Sequence, residues 1–176
     1  MKKSVLLLFF AGCVATGIFG IGRKIPMNRV NDLGQREGYW RDSVGGGFVY
    51  DLYYKGGKKD GLYKRFYRNK LFLFGEYTAD NMSGTWYVFG DEGELVYTLD
   101  SIELNKDSIY TGYCRIFCKY KCHSIDYYPS GAVKSEGYMV CDEEFEIEIW
   151  EIGEWKYYDE SGNLIKTKDY GDRRTP

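Results

Sequence analysis

The sequence predicts an all-β protein: an array of stacked antiparallel β-hairpins in a single sheet, following an N-terminal signal or anchor segment. Three observations carry this. Glycine returns two places ahead of a ring at a spacing of 23, as GYW at 38–40, GLY at 61–63 and GTW at 84–86. Short runs rich in aromatic and β-branched residues alternate with turn clusters. Past the leader, no stretch has the apolar spacing of a helix.

The leader comes first. Residues 1–22 open MKKSVLLLFFAGC, with a basic start, an apolar run from Val5 and small residues before Cys13, the layout of an export signal. Its FAGC resembles the bacterial lipoprotein signal, which implies lipid on Cys13 and a membrane-attached protein of the bacterial cell envelope. Two other readings stand beside it. Ala15-Thr16-Gly17 fits an ordinary cleavage site, giving a secreted or periplasmic chain. The uncharged run Val5 to Gly22 is also barely long enough to stay as an anchor. A short basic linker, 23–30, follows; the repeat domain is expected over 31–170, with a tail at 171–176.

With 176 residues there is room for one ordinary domain. Aromatics reach 18% and mean hydropathy is −0.47, so the chain buries area through rings more than through aliphatic side chains. A net charge of −2 gives no reason to expect nucleic acid.

Strands are expected in FVYDLYY (48–54), LYKRFYR (62–68), LFLFGEY (71–77), GTWYVF (84–89) and AVKSEGYMV (132–140), with turns at GGKKDG, ADNMSG, GDEG, YPSG and DESG. The register extends beyond glycine and ring. From Gly84 the chain reads Trp86, Phe89, Gly93, Leu95; from Gly153 it reads Trp155, Tyr158, Gly162, Leu164, at the same offsets. The pattern fails at Ser43 and Lys70. Each unit thus reads as one hairpin, its leading glycine closing the previous turn and its second glycine turning the chain. A single hairpin cannot bury its own rings, so neighbours must cover them. Trp40, Tyr63, Trp86 and Trp155 are the expected anchors. Tyr53, Tyr67, Tyr87 and Tyr157 fall outside the register and are the rings expected to meet a partner.

GQREGYW, GKKDGLYKRFY and YYPSGAVKSEGYM resemble the bacterial form of the MORN (membrane occupation and recognition nexus) repeat. They are also similar to YwqK-type repeats, often described as antitoxin components. The likeness covers about 31–95 and 123–168, and 96–122 matches poorly. It implies a groove-shaped sheet of hairpins used for protein or lipid contact, with no catalytic residue to carry over.

Cys114, Cys118, Cys122 and Cys141 remain after the leader, and an even number in an exported chain favours disulfides. Residues four apart on a strand lie roughly 13 Å apart, too far to bridge. A two-residue hairpin at Pro129-Ser130 pairs positions summing to 259, which selects Cys118 with Cys141; one bulge would select Cys122 instead. A zinc site from Cys114, Cys118, Cys122 and His123 is disfavoured, because His123 would leave the strand on the face opposite Cys122. No metal, cofactor or catalytic residue is expected, since the lone histidine has no motif around it.

Two charged stretches remain. KGGKKDGLYKRFYRNK (55–70) holds seven cations, Lys64, Arg65 and Arg68 among them, interleaved with rings, while 142–160 holds nine acids. In DEEFEIEIWEIGEW, Glu144, Glu146 and Glu148 share one strand face and Phe145, Ile147 and Ile149 the other, as in a solvated strand. The gradient would orient an acidic protein, anionic lipid or a second copy head to tail. The expected function is non-enzymatic binding of a protein or lipid headgroup. Toxin masking, and an envelope enzyme or small-ligand carrier, are the alternatives.

Overall fold

A computed structural model describes residues 26–106, 118–142 and 150–171. The leader with Cys13, the segment holding Cys114, the alternating acids 143–149 and the tail 172–176 lie outside the described residues. The strands are β1 Arg29–Val30, β2 Arg36–Val44, β3 Phe48–Lys55, β4 Lys58–Tyr67, β5 Lys70–Thr78, β6 Asn81–Phe89, β7 Leu95–Leu104, β8 Tyr120–Tyr127, β9 Val133–Cys141, β10 Trp150–Tyr158 and β11 Leu164–Asp169. They form one open antiparallel sheet in strict chain order, and no helix occurs among the described residues. The all-β hairpin array is therefore the architecture of the chain. β1 begins inside the segment read as linker.

Where a unit keeps its second glycine, that glycine turns the chain. In Gly90–Glu94 and Asp159–Asn163 the first residue's N–H reaches the fifth carbonyl, and the fourth residue, Gly93 or Gly162, donates back to the first. This is a compact turn closed by a bulge. The leading glycine behaves otherwise. Gly61, Gly84 and Gly153 lie inside strands, with φ of 130°, 65° and 61°, where the ladder slips. At the second slip Glu76 pairs with Ser83 and Phe74 with Tyr87, so three residues of β6 oppose Gly75 alone. Glycine relieves the backbone at such a bulge. The period thus marks bulges within strands rather than strand ends.

The bulges aim the rings. Trp40, Leu52, Tyr63 and Gly75 are cross-strand neighbours on one face, and Trp86, Leu99, Ser124 and Gly137 continue the row. We call this the indole face. Trp86 lies across Gly75 of the neighbouring strand and Trp155 lies across Gly137. Strands two apart are separated by roughly 10 Å. The rings of Tyr63 on β4 and Trp86 on β6 nonetheless approach to 5.4 Å between centroids, because Gly75 leaves the space over β5 empty. Tyr77 packs edge-on against the same indole at 5.1 Å. Farther along, the Tyr120 hydroxyl crosses β7 to accept the Met82 N–H at 3.1 Å. The sheet so covers its core with its own side chains. Each buried indole removes roughly 200 Å² from water, worth about 5 kcal/mol at about 25 cal/mol per Å².

Candidate functional site

Alternation sends neighbouring residues to opposite faces, and this separates the sequence candidates. Tyr63, Trp86 and Trp155 are buried on the indole face, and Trp40 is half-buried toward the β1 end of the sheet. The indole N–H groups are all used: Trp40 donates to Arg29 O, Trp86 to Ser83 O and Trp155 to Tyr138 O. These rings hold the sheet together. Tyr53 and Tyr87 lie on the opposite face, whereas Tyr67 and Tyr157 share the indole face. The four tyrosines do not form one surface.

Nor do the cations of 55–70. Arg65 is buried on the indole face, its guanidinium 4.5 Å from the Phe48 ring centre and 5.2 Å from that of Tyr50. Lys64 points the other way, between Asp51 and Phe74. Lys59 sits over the Tyr77 ring, Arg68 over Tyr67, and Lys70 donates to the Asp91 carbonyl of the next turn. Several of these cations are spent on rings and turns, so they do not form one basic surface.

The cysteines also differ from expectation. β8 and β9 pair with a sum of 261 up to Asp126, where a bulge shifts the register. Tyr120, not Cys118, therefore faces Cys141. Cys118 packs instead with Val140 and Ile152. Cys122 and Cys141 are diagonal neighbours with sulfurs 3.5 Å apart, both fully buried. Contact with Cys122, then burial, pushes the Cys141 thiol far above its usual range. We expect oxidative refolding with oxidised glutathione to link Cys122 to Cys141, two thiols giving one disulfide and two reduced glutathiones. The folded, reduced protein should react slowly, since the attacking thiolate is suppressed. Peptide mapping without reduction checks this; a Cys118–Cys141 link would contradict the register. His123 leaves β8 on the face opposite Cys122, stacking edge-on against Tyr138 beside Asp100.

The opposite face is an aromatic surface crossed by ion pairs. Phe74 stacks on Tyr87 with centroids 5.9 Å apart, and Tyr53, Leu62 and Tyr138 are each about half exposed, at 48%, 54% and 47%. Arg41 grips Asp51 with two bonds of 2.6 Å. Burial raises the Asp51 pKa, but hydrogen bonds from Arg41 and Tyr39 outweigh it and hold the carboxyl below its usual range.

A second site was missed in the sequence. On the indole face, Tyr97, Asp126, Met139, Glu151 and Trp155 line a cavity of about 340 Å³ between β7 and β10, with Lys134 also on its wall. Asp126 accepts hydrogen bonds from Ser124 at 3.2 Å and Ser135 at 2.7 Å. Burial nevertheless raises its pKa, with Glu151 adding repulsion. The sign is clear: the folded pKa exceeds the unfolded one. Asp126 therefore favours the fold at low pH and ceases to do so as pH rises through the folded value. Burial likewise raises the Tyr97 phenol well above its usual range.

Asp126 was legible in part, because it shares the phase of Tyr120, Cys122 and Ser124. Glu151 shares the phase of Trp155, four residues on, since the two extra residues at the Gly153 bulge leave the alternation of β10 intact. The strand register that sets it opposite Met139, one strand from Asp126, was not legible. No family model and no curated protein matches this chain.

Proposed function

We propose that this chain is a non-enzymatic binding protein of the bacterial cell envelope, held at the membrane by its N-terminal segment, with lipid on Cys13. The leader's layout and the likeness of its units to MORN and YwqK-type repeats support this reading. The observation that carries it is the opposite face. Tyr53, Leu62 and Tyr138 stay half exposed around the Phe74–Tyr87 stack. Aromatic surface rimmed by charges is what protein interfaces use. Lys64, Lys121 and His123 alternate there with Asp51, Asp100 and Glu136 along the ladders. Mixed signs fit a protein better than an anionic bilayer, which would want one sign.

The test places a photocrosslinking side chain at Tyr53 or Tyr138 in membranes of the producing cell. The reading expects one discrete protein adduct from both positions and none from Leu164, which is equally exposed on the edge strand β11. Intact mass on the same sample reads lipid on Cys13. Equal labelling at all three positions, or lipid-only adducts, would count against a protein partner.

A further inference from the structure

From the geometry of the cavity between β7 and β10, we infer that it is a binding site for an organic monocation, an alkylammonium or guanidinium group. Its volume, about 340 Å³, lies at the small end of ligand pockets and suits one long basic side chain or a small amine. Two carboxylates, Asp126 and Glu151, reach it from strands on either side of β9, and the rings of Tyr97 and Trp155 line its wall. Carboxylates beside aromatic faces make the combination that holds ammonium and guanidinium groups.

The carboxylates are built in. Each Asp126 oxygen accepts one serine hydrogen bond, and a carboxylate has room for about four. Acceptor capacity thus remains after the serines have fixed its orientation. Asp126 is held in a partly desolvated place near a second negative charge, and a cation entering the cavity relieves both penalties. Lys134, on the cavity wall, offsets part of the Asp126 charge, but burial and Glu151 still leave the Asp126 pKa raised; its own charge repels a second cation and limits the site to one. Met139 and the rings leave too few oxygens for a hard metal ion, which needs six or more. The site lies on the indole face, so it is independent of the partner surface proposed above.

The full chain, isotope-labelled, is titrated with N-acetyl-arginine amide and with its neutral isostere, N-acetyl-citrulline amide, while the Trp155 indole and Gly137 amide resonances are followed. The arginine probe should move both with a midpoint in the millimolar range, as expected for a ligand of one side chain's size. The citrulline probe should leave them in place. Asp126→Asn and Glu151→Gln should each weaken the response about tenfold. Asp126→Asn should not lower the melting temperature at neutral pH, because it removes an unfavourable buried charge, and this separates lost binding from lost fold. Butylammonium against N-acetyl-lysine amide, which share one headgroup, tells the two sources apart: butylammonium saturating as tightly as the lysine probe points to a free amine, and much more weakly to a partner's basic side chain. Equal movement with citrulline, no movement with any cation, or undiminished binding in both variants would overturn the site.

Discussion

Gly75→Ala should destabilise the protein by about 3–5 kcal/mol, close to the loss of the indole it supports. A methyl at this position would stand 2.1 Å from the Trp86 ring atoms, far inside van der Waals contact. The backbone is not at fault, for Gly75 is not among the positive-φ residues. The indole must leave, and with it the contacts to Tyr63 and Tyr77. With total stability of roughly 5–15 kcal/mol, most of the fold would be spent. Gly137→Ala repeats the test under Trp155, at 2.5 Å. Gly84→Ala is the control: nothing lies within 4 Å of its added carbon, so only the positive φ counts, at about 1–2 kcal/mol. Denaturant midpoints rank the three. A Gly75→Ala midpoint at or above that of Gly84→Ala would remove the indole-over-glycine contact from the account.

Trp86→Ala should be comparably severe, again about 3–5 kcal/mol, because the ring is fully buried and two tyrosines pack on it. For a domain of this size that lowers the melting temperature by roughly 6–20 °C. Trp40→Ala, half-buried near the β1 edge, should cost clearly less. The pair with Gly75→Ala is more telling. Once the indole is gone the alanine methyl meets no ring, so the double variant should be no worse than Trp86→Ala alone. A coupling of several kcal/mol in the double-mutant cycle is expected; plain additivity would mean that the two sites are independent.

What was legible in the sequence follows from what each residue type is forced to do. The Gly-x-ring spacing located β2, β4, β6 and β10, since a glycine at positive φ followed by a buried ring has few homes outside a sheet. The same spacing could not say whether that glycine sat in a turn or in a bulge, because both demand the same backbone. Turns and bulges then decided the cross-strand pairing. The turn closed between Tyr128 and Ala132 and the slip at Asp126 each shift the pairing by one, and together they move Cys141 from Cys118 toward Cys122. The tyrosines outside the repeat register fell on two faces by plain alternation: Tyr67 and Tyr157 stand an even number of residues from Tyr63 and Trp155, whereas Tyr87 and Tyr53 directly follow Trp86 and Leu52. Cross-strand register is legible only between bulges, and this sheet has one in most of its ladders. The cation run at 55–70 misled differently, since Arg65 and Lys59 can be solvated by ring faces as well as by water.

The most direct measurement is the proton spectrum of two glycines. With Trp86 and Trp155 lying across Gly75 and Gly137, the α-protons of both glycines should be displaced strongly upfield by ring currents. Each should also show cross-relaxation to the protons of its indole. Ordinary glycine shifts at both positions, with no indole contacts, would contradict a sheet whose rings close over neighbouring strands.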